Sequence, residues 1–157
     1  MYKRQRLDRL INPHVSGLPA FLVSNPGVNS GMMIVQYVAA SLCGQNRQLA
    51  QPAVLDNFVT SGLQEDHLSM GTNAALKLHQ LLANVTQILA IEYLLAAQAF
   101  EFLKDQRFGA GTDSAWRLLR EKVAPYEQDR WLAPDIAATA ALLKDTALLR
   151  SAIPHLH

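Results

Sequence analysis

The sequence predicts an all-α protein, a bundle built around long helices. Three observations predict it. From residue 72 to residue 107 there is neither glycine nor proline, and Leu78, Leu81, Val85, Ile88, Leu95, Ala99 and Phe102 recur at three- and four-residue spacing, the period of an amphipathic helix. A second stretch, residues 29–49, is apolar and ends just before Pro52. No segment shows the apolar–polar alternation of a strand over a useful length, and no internal repeat is visible.

The elements follow in chain order. The start, MYKRQRLDR, is locally basic and reads as a short solvated helix. Residues 10–27 carry Pro13, Gly17, Pro19, Pro26 and Gly27, punctuation that predicts an irregular loop. Asn29 or Ser30 is placed to cap the next helix, which runs to about Leu49 and leaves at Pro52. That helix is apolar on nearly every side, which predicts burial all round. Residues 52–71 form a second loop. The long helix 72–107 exceeds the usual helix length and points to a bundle or an interface. Glu92 falls on its apolar stripe and is expected to be buried and paired; a place in an active site is the alternative. GAGT near residues 108–112 reads as a turn. Asp113 or Ser114 starts a short helix to about Val123, which Pro125 breaks. Pro134 and Asp135 open a last helix to about Leu149.

A chain of 157 residues is long enough for one domain with a real core. Half of the residues are apolar and only 17% are charged, below the usual quarter. So few charges suit a surface covered by partner subunits. Fourteen Lys and Arg balance 13 Asp and Glu, and no basic patch stands out for nucleic acid. Cys43 is the single cysteine, so no internal disulfide forms. It is expected to act as a small buried hydrophobe, compatible with a reducing cytoplasm. The basic start is not followed by a continuous apolar core, so no signal peptide is expected. The longest apolar run, residues 32–43, is too short for a bilayer.

Chemistry concentrates at residues 60–71, TSGLQEDHLSMG. Gln64, Glu65, Asp66 and His67 are consecutive, and they follow a stretch with no Asp, Glu, Lys or Arg from residue 10 to residue 46. Charges are costly to bury unless paired or used, so an abrupt acidic cluster is a candidate site. The plain alternative is that Asp66 begins a helix and His67 is solvated. On residue types alone, Glu65 can act as general base, as partner to an imidazole, or as a structural acceptor. A metal is not expected. Adjacent side chains diverge, no second His stands four residues on, and His79 is twelve residues away.

The strings themselves carry more. QEDHLSMG at 64–71, GVNSGMM at 27–33 and SGLPAFL at 16–22 resemble the aromatic amino acid lyase family, most closely its members that act on histidine. The resemblance continues through NRQLAQPAVLD at 46–56, IEYLLAAQAFEF at 91–102 and YEQDRWLAPDIA at 126–137, so it covers nearly the whole chain in the family's order. It departs from the common pattern at Leu68, where Val is frequent, at Gly62, where Ala is frequent, and at Gln51, which takes the place of a His.

The resemblance implies a larger helical fold of which residues 1–157 are the C-terminal helical portion. It implies an ammonia-lyase that converts L-histidine to urocanate and ammonia. At the position of Glu65, histidine-acting members carry Glu, whereas those acting on phenylalanine and tyrosine carry Gln; the implied role is to hold the substrate imidazole. Gln64 matches an amide that lines the pocket, and Met33 matches a residue that packs against the substrate side chain, the alternative being an ordinary core methionine. Asp66 and His67 are expected as supporting or capping groups. Family members use methylidene-imidazolone (MIO), formed from an internal Ala-Ser-Gly, to capture the substrate amine, with a tyrosine taking the β-proton. Here Ser16-Gly17 follows Val15, Ser30-Gly31 follows Asn29 and Ser61-Gly62 follows Thr60, so no Ala-Ser-Gly occurs. The expectation is a lyase portion without the electrophile-bearing segment, inactive alone, contributing recognition and contacts to a homotetramer in the cytoplasm, with no membrane or nucleic-acid partner. A non-enzymatic helical assembly module, or a piece of a phenylalanine or tyrosine lyase, are the competing readings.

Overall fold

Six α-helices built from these patterns pack into one bundle, seen in a computed structural model that describes residues 2–103, 105, 108–146 and 150. They are α1 (Tyr2–Ile11), α2 (Pro13–Ser16), α3 (Met33–Leu49), α4 (Gly71–Phe100), α5 (Ala110–Arg120) and α6 (Ala133–Leu142). No strand occurs among the described residues. The central element is α4, which packs most extensively on α3 and α6, and also on α1 and α5.

The basic start is not simply solvated. Leu7 and Ile11 point inward and are buried. They join Val35, Ala39, Ile91 and Leu95 in the main core. The segment expected to be irregular contains α2, with Asn12 Oδ1 accepting the His14 N–H at 3.1 Å, the capping bond its type favours. A 3₁₀ turn follows at Ala20–Leu22, and Leu22 is buried in the core.

The expected all-round burial of α3 is not found in this chain. Val35, Ala39 and Leu42 are buried, but Ile34 and Tyr37 are half or more exposed. Apolar composition indicates that a face avoids water without saying what covers it. Cys43 is half-buried against the core.

The long helix ends at Phe100, seven residues before the expected end; residues 104, 106 and 107 lie outside the described ones. Bonds of the i→i+3 type close it, with Glu101, Phe102 and Leu103 N–H groups reaching the carbonyls of Gln98, Ala99 and Phe100. Phe100 then stacks on Phe108 at 4.4 Å. The apolar stripe is buried only in its second half. Leu78 is exposed and Leu81 half-buried, and continuous packing begins near Asn84. By length and composition α4 could cross a bilayer, yet here it forms the middle of the bundle. Its Asn84 is 2% exposed and donates to Asn46 Oδ1 at 2.9 Å and Gln45 Oε1 at 3.3 Å. These bonds meet the demand that a buried amide be satisfied.

The GAGT stretch is helical rather than a turn. Gly109 precedes the first helical residue in an extended conformation, and its carbonyl accepts from Asp113 N–H at 2.9 Å. Asp113 therefore sits in the first turn of α5, where a negative charge suits the helix dipole. The last helix begins beside Pro134 as expected but closes at Leu142; residues 147–149 of the predicted extension lie outside the described ones.

Candidate functional site

Between Pro52 and Gly71 the chain makes a loop whose shape is set by Asn57. Its Oδ1 accepts from Phe58 N–H at 2.9 Å and Leu68 N–H at 3.1 Å, and its Nδ2 donates to the Leu68 carbonyl. Above that staple, Thr60 and Glu65 exchange backbone bonds at 2.9 and 3.3 Å. They close a tight reversal over the 3₁₀ turn Ser61–Leu63. Lys77, from the second turn of α4, donates to the Gln51 carbonyl at the loop's base.

The backbone here is unusual. Asp56, Ser61, Leu63 and Met70 all have positive φ, between 50° and 72°, besides Gly62 at 63°. The left-handed region costs non-glycine residues roughly 1–3 kcal/mol each and gathers at ligand clamps and active sites. Gln64, Glu65, Asp66 and His67 are presented at the tip of this loop, all exposed. Neither Asp66 nor His67 caps α4, whose first helical residue is preceded by Met70 in the left-handed conformation. Among the described residues no three His, Cys, Asp or Glu side chains gather as a metal site would need.

Met33 is the first residue of α3 and half-buried. The expected cap from Asn29 or Ser30 is absent, because both are engaged elsewhere. The Asp129 carboxylate accepts the Ser30 N–H at 2.8 Å and the Gly31 N–H at 3.0 Å, and Asn29 Oδ1 accepts the Asp129 N–H at 3.1 Å. The Tyr126 hydroxyl donates to Asp129 at 3.0 Å. The two amide bonds hold the Asp129 carboxyl below its ordinary range. Burial pushes the Tyr126 phenol up. Gln98, on α4, fixes Tyr126 in turn: its Oε1 accepts the Tyr126 N–H and its Nε2 donates to the Tyr126 carbonyl, each at 2.9 Å. Spacing offered no signal for this link, which joins segments about a hundred residues apart.

Met33 opens α3, whereas Gln64 and Glu65 lie on the loop that precedes α4. A cleft of about 660 Å³ between α3, α4 and α6, lined by Val38, Gln87, Trp131 and Ile136, is touched by none of the three. Glu92 is paired as expected, with one carboxylate oxygen 2.6 Å from Arg6 Nε; its other oxygen is buried without a partner among the described residues. The residues for MIO are not in this chain. Its three Ser-Gly pairs lack the preceding Ala, and the Ser30 and Gly31 amides are already committed to Asp129.

Residues 1–121 match the family model of the aromatic amino acid lyases. The chain belongs to the aromatic amino acid lyase family. Histidine ammonia-lyase of Symbiobacterium thermophilum is 53% identical over 92% of this chain and 29% of its own length. Among solved structures, histidine ammonia-lyase from Trypanosoma cruzi superposes with a TM-score of 0.93 at 39% identity, over 99% of this chain and 30% of that one. Tyrosine aminomutase from Streptomyces globisporus superposes with a TM-score of 0.87 at 34% identity, over 97% of this chain and 29% of that one. The all-α arrangement is thus shared with the matching part of these lyases and aminomutases. The chain spans about three tenths of the length of the relatives it matches.

Proposed function

We propose that this chain is the C-terminal helical portion of a histidine ammonia-lyase-like enzyme, and that it supplies substrate recognition and subunit contacts rather than the chemical step. The observation that carries this reading is the loop tip at Gln64 and Glu65, a strained reversal held by Asn57 that offers a carboxylate and an amide side by side. Its likeness to histidine-acting relatives supports the substrate class. Glu65 would pair with the imidazole of L-histidine or a related amino acid. Gln64 would line the same pocket, and Met33 would pack on the ring. MIO, when present in the whole enzyme, supplies the electrophile that takes the amine; its precursor is not among these 157 residues.

Subunit contact is the second half of the proposal. Leu63, Leu76, Leu78 and Leu82 are each more than half exposed along the loop and the first turns of α4. Apolar surface in such a run marks an interface, in keeping with a homo-oligomer in a reducing cytoplasm. The same surface favours the competing reading of a non-enzymatic assembly module. Incubating the chain with L-histidine and following urocanate absorbance tests the division of labour: the isolated chain is expected to be silent. Sustained turnover by the pure chain would overturn it. Turnover regained when the rest of a lyase is supplied would separate the enzyme reading from the assembly module.

A further inference from the structure

The segment 29–31 enters α3 without a local cap, and its free amides are taken by a carboxylate from a distant part of the chain. We propose that Asp129 is a positioning residue: by gripping the Ser30 and Gly31 amides it fixes the entry of α3 and so places the Met33 side chain. The value of that placement for substrate choice rests on the proposed role of Met33; the clamp itself does not.

The linkage is continuous. Met33 N–H makes its first bond to the Ser30 carbonyl at 3.4 Å, so the orientation of the Ser30 peptide is felt directly at the first residue of the helix. On its other side the segment has no room to move. Met32 N–H is bonded to the Phe21 carbonyl at 2.9 Å, and a Cβ at Gly31 would stand 2.6 Å from that same oxygen. Met32 itself is buried. The segment is therefore pinned by Phe21 on one flank and by Asp129 on the other.

Asp129 is an exposed residue, where a lone surface hydrogen bond would be weak. Here the grip is reciprocal, since its own N–H is held by Asn29, and its carboxylate is aimed by the Tyr126 hydroxyl. Tyr126 is anchored through the buried Gln98 to α4. The central helix thus reaches the entry of α3 through three side chains. The negative charge also lies at the N-terminal end of α3, where the helix dipole favours it.

The test uses the whole 157-residue chain with carbon-13 in the methionine methyls. Only four methionines occur, so Met33 and Met70 are read separately. In D129A the Met33 methyl resonance is expected to shift or broaden while Met70 stays. Amide exchange at Ser30 and Gly31 should rise roughly ten- to a hundredfold, the loss of bonds to a charged acceptor. D129N keeps one acceptor oxygen and should restore part of both effects. Y126F removes the aiming hydroxyl, and with it the acceptor of the Arg130 N–H at 3.3 Å, but leaves the Asp129 carboxylate in place, so it should give a smaller change even if D129A folds poorly. D135N, which breaks the neighbouring Arg130–Asp135 pair, is the control for general disturbance of this corner and should leave Met33 unmoved.

A Met33 resonance that does not respond in D129A, D129N or Y126F overturns the proposal. So does an equal response in D135N. In a complete enzyme assembled with this chain, D129A should raise KM for histidine more than it lowers kcat. A moved Met33 methyl with unchanged KM would leave the clamp standing and would sink the reading of Met33 as a wall of the pocket.

Discussion

Arg120 and Glu101 meet across the corner between α4 and α5 at 2.8 Å, with side chains only 11 and 10% exposed. Trp116 Nε1 donates to the same carboxylate oxygen at 3.2 Å, and Arg120 also reaches the Val123 carbonyl at 3.3 Å. The pair closes the turn that carries the chain from the central helix into α5.

Removing one member leaves the other charge buried. Arg120→Ala and Glu101→Ala should each destabilise the chain by about 3–5 kcal/mol, and the double replacement R120M/E101L should cost much less than their sum. Urea denaturation of the three variants measures this. Additive losses would mean that the two side chains act independently.

Gly31 combines φ +60° with a Cβ position 2.6 Å from the Phe21 carbonyl. Gly31→Ala meets both backbone strain and a contact that only backbone movement can relieve. A loss of more than about 1 kcal/mol is expected in the same denaturation experiment. Gly17→Ala shares a positive φ but meets open space, so its smaller loss isolates the steric part.

Tyr93 donates to the Ala115 carbonyl, and burial raises its phenol from 10.0 to about 12. The folded chain therefore keeps a proton that the unfolded chain has released between those values. Stability from this group is complete below pH 10 and falls as pH rises toward 12. The ultraviolet phenolate signal should show Tyr93 ionising late. Tyr93→Phe should flatten the alkaline fall in melting temperature, and an unchanged slope would contradict the assignment.

Glu65→Gln tests recognition in the complete enzyme. A charge-assisted hydrogen bond contributes about 1.5–3 kcal/mol, so kcat/KM for histidine should drop roughly ten- to a hundredfold. Phenylalanine, which gains nothing from the charge, should be handled as before or better. Equal losses for both substrates would place Glu65 in the common chemistry or in the fold.

The helices were legible where one local rule governed them. Pro52 and Pro134 marked boundaries, and the uninterrupted period from residue 72 marked α4. Local rules misled where a second segment decided the outcome. Asn29 and Ser30 have the chemistry of caps, but Asp129 engages them from about a hundred residues away. The glycines of GAGT suggested a turn, while the Asp113 bond to the Gly109 carbonyl opens α5 there, with Gly109 before the helix and Gly111 in its first turn. The far end of α4 had the right period, yet its corner is drawn in by Glu101 and Arg120. As for the site, a loop at residues 52–71 was readable from its Pro and Gly. The staple by Asn57 and the positive-φ backbone were not, since both arise from contacts made only after folding.

The burial pattern of α4 makes it one helix with two stabilities. Its first thirteen residues, about 20 Å of rise, are almost wholly in water, whereas Asn84, Ile88, Ile91 and Leu95 lie inside the bundle. An amide near Lys77 exchanges by local fraying alone, and one near Ile91 waits for global unfolding. Protection should therefore climb along a single continuous helix, and any partner that covers the outer half would be seen first as slowed exchange between residues 71 and 83, with little change beyond them.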